Sequence, residues 1–424
     1  MKIFWFITYN IIILPLLVFG VFIISLYEKK MRIGIIGRLK TFYSVKNYIK
    51  NNDKGIYWFH VSSLGEFYQL VPVMEGLKKN SNLLNFVSFS SPSGYENAEN
   101  KSLDFKFYLP FDFFWSISRI IKIIKPKKII FVAYDLWPNL IWISKLYNVH
   151  ISIFSLGFKK KSHQLKPIVK SFYKTLYEDF NSIYTVSDKD IKSIKKIIKK
   201  SKNITLKNLG NPRYDMVYNF AENFKTKSSE NILMREKVII AGSTHSEDDI
   251  MIIPSLCKLI EKHPDLKILH VPHDPDNVAI ENIDVAYKVA GYNPIILTTI
   301  DCFKLPKHQI IILNAVGYLS KLYWFGQLAF IGGGMSSGIH NVMEPAVAGL
   351  PTIFGPRYSH APEAEKLIIS KGGYCVRNKI EIEKIFIKLL DSPEKLENAS
   401  RAAKNTIYDN LGSSSSIIKG IIHD

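Results

Sequence analysis

The sequence has few of the residues that hold small domains together or bind structural metals. It contains 3 cysteines in 424 residues, at positions 257, 302 and 375, and no two of them have C-x-x-C spacing. This excludes a disulfide framework and a cysteine-based zinc site. It also contains no short-period repeat and no large low-complexity segment. An apolar fraction of 47% with 22% charged residues excludes a disordered, collagenous or multi-span membrane protein.

Acidic residues are in deficit. The chain has 37 Asp and Glu against 56 Lys and Arg, which leaves a formal net charge of +19 at pH 7. Such a surplus favours an anionic partner, whether phospholipid, nucleotide, phosphorylated glycolipid or nucleic acid. Charge alone does not choose among them. The length allows two to three domains of roughly 100–200 residues each.

The N-terminus carries the one long apolar run, at residues 3–27. As a helix it measures about 37 Å, enough to cross a hydrocarbon core of about 30 Å. Lys29, Lys30 and Arg32 follow, and the positive-inside rule places that side in the cytoplasm. We predict a single membrane anchor at residues 1–30. The run is too long for a signal peptide, whereas shallow insertion stays open.

Two series of β-branched and aromatic runs alternate with amphipathic segments in the rest of the chain. They occupy residues 56–61, 86–89, 128–132, 151–154 and 183–186, then 238–241, 268–271, 310–313, 328–331 and 351–354. This alternation is typical of parallel βαβ sheets. The prediction is an α/β fold with two Rossmann-like doubly wound domains. They occupy residues 31–217 and 238–400, with a polar linker at 218–237 and a C-terminal tail or helix at 401–424.

Ligands of doubly wound sheets bind where strand-to-helix turns converge. In the first turn, Ser63 and Gly65 allow a tight bend, and Glu66 falls in the first turn of a helix, where the macrodipole favours its carboxylate form. Glu66 is therefore a candidate base, with helix capping as the alternative. A second turn brings Asp135, Trp137 and Asn139 to the same edge; helix capping by Asp135 and core packing of Trp137 are the alternatives.

Two further turns lie in the second series of strands. Ser243 and Thr244 open a helix and form a candidate anion cradle, which lacks the lysine of a P-loop. A plain helix cap explains them as well. Residues 332–345 contain a glycine-rich loop, Gly332-Gly333-Gly334, followed by Asn341 and Glu344 one turn apart. Glycines let the backbone approach a phosphate, and an acidic side chain binds ribose hydroxyls in other nucleotide sites.

With these four turns in this order behind an apolar N-terminus, the chain resembles the 3-deoxy-D-manno-octulosonic acid (Kdo) transferases of lipopolysaccharide synthesis. The resemblance covers nearly the whole chain. Its most specific elements are 62–66 (SSLGE), 136–139 (LWPN), 210–212 (GNP), 242–245 (GSTH), 332–345, 349–351 (GLP) and 355–356 (GP).

The resemblance implies an inverting glycosyltransferase of the GT-B fold, two Rossmann-like domains facing a cleft, at the inner membrane with its catalytic domains in the cytoplasm. Such an enzyme moves Kdo from CMP-Kdo to a lipid A precursor, lipid IVA. It implies that Glu66 is the base and that Ser243, Asn341 and Glu344 lie on the CMP side. The expected partners are CMP-Kdo, the lipid A precursor and an anionic membrane surface, with no nucleic acid and no cofactor.

The implied mechanism is direct displacement, in which amides at 243–244 and 332–334 stabilise the departing phosphate, helped by Arg213 or His273, without a metal. Asp274-Pro275-Asp276 mimics a metal-binding motif but has no accompanying ligand cluster in the sequence.

The chain departs from the family pattern at Ala133-Tyr134-Asp135, where the family has Glu-Thr-Glu, and at Pro272-His273-Asp274-Pro275, where His273 replaces an arginine. The family's Asn-Ala-Arg-Leu-Ser turn is not recognisable, although the lysines at 159–161 bring cationic charge to that region.

Two alternative functions stay open. One is a membrane-associated GT-B transferase that uses a UDP-sugar, and the other is a non-catalytic, membrane-tethered binder of anionic lipid or nucleic acid. The dispersed lysines lack the aromatic interleaving of a single-strand platform.

Overall fold

The computed structural model describes residues 1–158, 162–198, 203–222, 224, 231–301 and 304–424. The lysines at 159–161, Cys302, and residues 223 and 225–230 of the predicted linker lie outside this part. The chain divides into two units. Unit 1 comprises Met1–Met216 with Gly412–Asp424, and unit 2 comprises Val217–Leu411.

Unit 1 contains a seven-stranded parallel sheet with strand order β3-β2-β1-β4-β5-β6-β7. The strands are β1 (Ile56–Val61), β2 (Leu84–Phe89), β3 (Phe105–Tyr108), β4 (Lys128–Val132), β5 (His150–Leu156), β6 (Ser182–Thr185) and β7 (Thr205–Asn208). Alternate side chains of β1 enter opposite cores, Ile56 and Trp58 on one face and Tyr57 and Phe59 on the other. Because both faces are covered, the strand reads as a continuous apolar run.

Helices cover both faces of this sheet. They are α1 (Lys2–Thr8), α2 (Leu14–Tyr27), α3 (Lys29–Ile49), α4 (Leu64–Asn80), α5 (Pro92–Asn97), α6 (Phe114–Ile124), α7 (Pro138–Leu146), α8 (Pro167–Tyr177) and α9 (Asp188–Ile197). A π-helical turn, Tyr9–Ile13, joins α1 to α2, and a 3-10 turn at His163–Leu165 precedes α8.

Unit 2 contains a second seven-stranded parallel sheet, of order β10-β11-β9-β8-β12-β13-β14. Its strands are β8 (Val238–Thr244), β9 (Lys267–Pro272), β10 (Ile295–Leu297), β11 (Ile310–Leu313), β12 (Leu328–Ile331), β13 (Thr352–Phe354) and β14 (Gly373–Cys375). Helix α10 (Arg213–Glu222) begins in unit 1 and ends in unit 2, and a 3-10 turn at Ile232–Met234 follows it. The other helices of unit 2 are α11 (Ser246–Lys262), α12 (Asn277–Val289), α13 (Leu319–Leu322), α14 (Met343–Val347), α15 (Pro362–Ser370), α16 (Lys379–Leu390) and α17 (Pro393–Tyr408). The last helix, α18 (Ser413–His423), lies in unit 1.

The predicted α/β fold with two parallel sheets is confirmed. In each sheet the chain reverses its direction of winding beside the first strand, between β1 and β4 in unit 1 and between β8 and β12 in unit 2. These are the switch points at which doubly wound sheets bind ligands. The turns picked out from the sequence all follow strands at or next to these positions.

The last helix of the chain belongs to unit 1. Ile417 and Ile421 of α18 enter the core beside α4, and the Asp424 carboxylate accepts a hydrogen bond from the Tyr184 hydroxyl at 2.8 Å. The Asp215 carboxylate accepts from the backbone N–H groups of Gly412 and Ser414 at 2.7 and 2.6 Å. The C-terminal residues therefore complete the fold of the first unit.

The N-terminal apolar run forms one helix, Lys2–Tyr27, long and apolar enough to cross a membrane by length and composition. Its first half is attached to unit 1. Lys2 pairs with Asp179 at 2.5 Å, and the Trp5 indole N–H donates to the Ser171 hydroxyl at 2.8 Å. Its second half exposes large apolar side chains, among them Leu16, Leu17, Phe19, Phe22 and Leu26.

Candidate active site

Glu66 lies in the first turn of α4, where the sequence placed it. Ser63 caps the helix, because its hydroxyl accepts a hydrogen bond from the Glu66 N–H at 3.3 Å. The Glu66 carboxylate accepts in turn from the Ser62 N–H at 2.6 Å. This reciprocal arrangement resembles a capping box, so Glu66 does contribute to capping. Gly65, between the two, is exposed.

The environment of Glu66 also suits a base. Burial raises the pKa of its carboxyl group above the ordinary value, and the negative charge of Asp135 raises it further, while the Ser62 N–H and His60 oppose both effects. A carboxylate whose pKa moves toward neutrality is a better proton acceptor at physiological pH. Capping and base chemistry are thus compatible at this position.

Asp135 is the centre of a hydrogen-bonded network beside Glu66. Its Oδ2 atom accepts from Ser90 at 2.8 Å and from the Trp137 indole at 3.0 Å, and lies 3.1 Å from His60 Nε2. Burial alone disfavours its charge, but these hydrogen bonds and the His60 ring lower the pKa of Asp135 to about 2. Asp135 is therefore a fixed negative charge near the candidate base.

His60 is the residue of this network to which sequence reasoning assigns no role. It is fully buried, and its Nδ1 atom lies 3.0 Å from the Ser88 hydroxyl while Nε2 faces Asp135. The signal in the sequence is a histidine inside an otherwise apolar strand end. Because only the fold brings β1, β2 and β4 side by side, neither Ser88 nor Asp135 was recognisable as its partner.

Asn139 turns out to have a structural role. Its side chain is fully buried, exchanges hydrogen bonds with Asn10 of the N-terminal helix, and donates to the Asp112 carbonyl. Its backbone N–H donates to the Asp112 carboxylate at 2.9 Å, which also accepts from the Tyr9 hydroxyl at 2.9 Å. Burial raises the pKa of Asp112 to about 7 against these hydrogen bonds. This cluster attaches the N-terminal helix to unit 1.

In unit 2, the turn after β8 contains backbone strain. Ser243 has a φ of +54°, in the left-handed region that non-glycine residues seldom adopt, and the pairing of β8 with β9 shifts register between Gly242 and Thr244. Strain of this kind clusters at ligand sites. Thr244 itself is buried, with its hydroxyl 3.0 Å from His270 Nε2, so its side chain is engaged within the unit.

The glycine loop is explained first by packing. A Cβ atom on Gly332 would overlap the Ser243–Thr244 backbone, one on Gly334 would overlap Gly355, and Gly333 has a φ of +82°. The fold itself thus requires these three glycines, and ligand binding by the loop stays a prediction.

Two of the loop amides are also engaged. The Gly332 N–H donates to the Gly242 carbonyl at 2.9 Å, and the Gly333 N–H donates to the Asp248 carboxylate at 2.6 Å. Asp248 is fully buried and also accepts from the backbone of His245 and Met335. In this conformation these two amides donate to acceptors within unit 2, and phosphate binding by the loop stays a prediction.

The remaining predicted donor residues lie at the end of β9 and in the segments that follow β9 and β12. Asn341 donates from its amide to the Glu344 carboxylate at 2.9 Å, so the two form a preorganised pair at the start of α14. His273 is exposed directly after β9, and Pro272 before it is buried. Arg213 is at the first position of α10 and belongs to unit 1.

Unit 2 also brings together histidines that are far apart in the sequence. His245, His273 and His340 each offer a ring nitrogen, and these nitrogens lie within 4.8 Å of one another. The sequence predicts no metal site, because the three residues follow different strands. Among the predicted residues, the fold thus places Glu66 near Asp135, which is hydrogen-bonded to Trp137. It also places His273 beside the turn that contains Ser243.

Comparisons with solved structures define the class of fold. A UDP-GlcNAc 2-epimerase from Neisseria meningitidis matches with a TM-score of 0.62 at 13% identity, over 87% of this chain and 100% of that chain. MurG from Acinetobacter baumannii matches with a TM-score of 0.54 at 14% identity, over 88% and 100%. The chain has the two-domain fold of the GT-B glycosyltransferases.

Sequence comparisons show which enzymes the chain is similar to. The model of the 3-deoxy-D-manno-octulosonic-acid transferases matches residues 35–216. The Kdo transferase of Aquifex aeolicus is 26% identical over 370 residues, covering 85% of this chain and 94% of the relative. That of Haemophilus influenzae is 28% identical over 374 residues, covering 85% and 84%. The protein is a glycosyltransferase, and its sequence is similar to those of Kdo transferases over most of its length, in agreement with its motifs.

Proposed function

We propose that this protein transfers Kdo from CMP-Kdo to a sugar hydroxyl of a lipid A precursor such as lipid IVA. The observation that carries the proposal is the placement of Glu66 in a chain whose sequence is similar to those of Kdo transferases. Its carboxylate lies beyond the carboxyl end of strand β1 in unit 1 and accepts a hydrogen bond from the Ser62 N–H at 2.6 Å. Burial raises the pKa of this carboxyl group.

The proposed reaction is a direct displacement. Glu66 removes the proton from the acceptor hydroxyl as the oxygen attacks the anomeric carbon of Kdo, and the bond to the CMP phosphate breaks. The electron pair of that bond leaves with CMP, and the configuration at the anomeric carbon inverts. The Ser62 N–H fixes one carboxylate oxygen, which orients the group for proton transfer.

Asp135 and His60 support this base. A permanently charged Asp135 disfavours a second negative charge on Glu66, and it therefore increases the affinity of Glu66 for the proton it must accept. His60, fixed between Ser88 and Asp135, holds the aspartate in place. Trp137 completes this arrangement through its indole hydrogen bond.

We assign the CMP side of the reaction to unit 2. The Asn341–Glu344 pair presents a carboxylate suited to ribose hydroxyls, and the strained Ser243 with the exposed His273 is suited to the phosphate. We propose that departure of CMP needs no catalytic metal ion. Arg213 remains a proposed contributor of positive charge.

We infer that the N-terminal helix lies within the surface of the cytoplasmic membrane. Lys2 and Tyr9 are bonded to unit 1, and α3 returns to the same unit, where the Thr41 hydroxyl donates to the Tyr108 carbonyl at 2.8 Å. Both ends of the apolar segment are thus attached to one folded unit. The exposed apolar face of α2 then enters one leaflet, and the basic residues at 29–32 meet anionic head groups.

The proposed function is tested by incubating the full-length protein with CMP-Kdo and a lipid A precursor in detergent, followed by mass spectrometry of the lipid. The expected product is heavier by one or more Kdo units. Parallel reactions with UDP-sugars test the competing donor class. A product formed only with a UDP-sugar would replace this proposal, and no product from any donor would contradict it.

A further inference from the structure

Three histidines from three separate turns meet at the carboxyl edge of the sheet in unit 2. His245 precedes α11, His273 follows β9, and His340 follows the glycine loop. The Nε2 atoms of His245 and His340 are 2.8 Å apart, and the rings of His273 and His340 are stacked with centroids 4.0 Å apart. The three rings therefore form one cluster, and we name it the histidine cluster.

The backbone holds this cluster together independently of the rings. The His273 N–H donates to the Thr244 carbonyl at 2.9 Å, next to His245. The His340 N–H donates to the Gly332 carbonyl at 3.1 Å, and the buried Asp248 carboxylate bonds the N–H groups of both His245 and Gly333. The three side chains thus start from a fixed frame, which is the condition for a site of defined geometry.

The rings of the histidine cluster have no carboxylate partner among the described residues. Across the part of the chain that the structure describes, no carboxylate lies within ion-pair distance of these three rings, although His60, His263 and His270 each have one. A neutral imidazole has a nitrogen lone pair, and the lone pair is what a metal ion binds.

We propose that His245, His273 and His340 bind one divalent transition-metal ion of the zinc type. Imidazole nitrogen suits zinc, copper, nickel and cobalt, whereas magnesium and calcium prefer oxygen ligands. Three protein ligands leave the fourth position of a tetrahedral ion open to water or an anionic oxygen.

Modest side-chain movement suffices for binding. Nitrogens at about 2.0–2.1 Å from a tetrahedral ion lie roughly 3.3 Å from one another, so the two Nε2 atoms at 2.8 Å separate by about half an ångström. The His273 ring must turn out of its stack with His340. It is exposed, so solvent rather than core packing surrounds it during that rotation.

The site is accessible from solvent. His245 lines a groove of about 820 Å³ between α11 and α12, which Asp274 also lines. Asp274 follows His273 in the chain and acts electrostatically on His340. A carboxylate therefore lies close enough to the cluster to attract a cation. No step of the proposed transfer reaction passes through the ion.

The test uses full-length protein stripped with a chelator and titrated with Zn²⁺ by calorimetry. We expect one ion per chain. The variants are His273→Arg and His340→Ala. Arginine is a polar side chain suited to an exposed position but has no nitrogen free to bind a metal, and alanine removes the imidazole of His340 altogether. Loss of an outer partner alone costs about 10–100-fold in metal affinity, so loss of a ligand should cost about 100-fold or more. His308→Ala, at an exposed histidine elsewhere in unit 2, is the matched control and should bind as the unaltered protein does.

A second measurement reports ligand geometry. Co²⁺ in place of Zn²⁺ should show the intense visible bands of a four-coordinate ion, and His273→Arg should abolish them. Unchanged Zn²⁺ affinity in both variants, or no binding at millimolar Zn²⁺, overturns the site. Kdo transfer is assayed separately with and without chelator, so protein that transfers Kdo but binds no Zn²⁺ contradicts the metal site alone.

Discussion

Replacing Glu66 with glutamine separates its two roles. The glutamine carbonyl can still accept the hydrogen bond from the Ser62 N–H, and the Ser63 hydroxyl still accepts from the backbone of residue 66. The capping arrangement therefore survives, and the melting temperature should not change. What disappears is the ability to take a proton at neutral pH. Turnover should fall by about 100-fold or more, the usual range for a lost general base.

Two further variants complete this experiment. Glu66→Ala also removes the acceptor for the Ser62 N–H and should lower the free energy of unfolding by about 1 kcal/mol. Glu75→Gln, at a carboxylate on the same helix that accepts a hydrogen bond from the Asn100 amide, should leave both turnover and stability unchanged. The measurements are Kdo transfer by mass spectrometry and thermal melting. Near-normal turnover in the Glu66→Gln protein would refute the assignment of Glu66 as the base.

Three other outcomes are expected. Glu344→Ala should weaken CMP binding by about 1–3 kcal/mol in calorimetry, because a charged hydrogen bond is lost; unchanged affinity would remove Glu344 from the site. Leu17→Glu with Phe22→Glu should release the protein from anionic vesicles in a flotation assay, while transfer to a detergent-solubilised acceptor persists, since both side chains are exposed; equal loss of both would place α2 in the active site. Asp112 has a folded-state pKa of about 7, above its unfolded value. Its contribution to the free energy of unfolding is therefore full in acid and is lost as pH rises through 7. The stability of the unaltered protein relative to the Asp112→Asn protein, measured by thermal melting, should fall by roughly 1 kcal/mol per pH unit between pH 5 and 7. A stability difference that stays constant with pH would contradict the raised pKa.

The strands that the sequence predicted are the inner strands of both sheets. β1, β2, β4, β5 and β6, and in unit 2 β8, β9, β11, β12 and β13, are the strands that the apolar runs marked. The four that were missed, β3, β7, β10 and β14, are the sheet edges. Edge strands here are three or four residues long and only partly buried, and β7 is half exposed. Polar residues interrupt β3 and β7, whereas β10 is apolar but only three residues long, which is too short to stand out as a run.

The candidate site shows the same division. Glu66, Asp135 and Ser243 were recognisable because each follows an apolar strand with turn chemistry, and chain order alone places such residues at the ligand edge. The sequence also identifies the glycine loop, but it does not explain why glycine is required there. Close approach of the Ser243 and Gly355 backbones, which no local pattern encodes, is what excludes a side chain at Gly332 and Gly334.

The class of fold, the central strands, the apolar N-terminal helix and the turns that carry polar side chains can all be predicted from local sequence patterns. These are local properties, set by the periodicity and composition of a few neighbouring residues. Which turns meet depends on how the strands are ordered in the folded chain. Strand order places His60 beside Asp135 and brings two glycine-loop amides to acceptors within unit 2. It also places Tyr9 of the N-terminal helix within hydrogen-bond distance of Asp112 and brings the rings of His245, His273 and His340 together. Contacts between residues far apart in the chain depend on strand order, which no single stretch of sequence specifies.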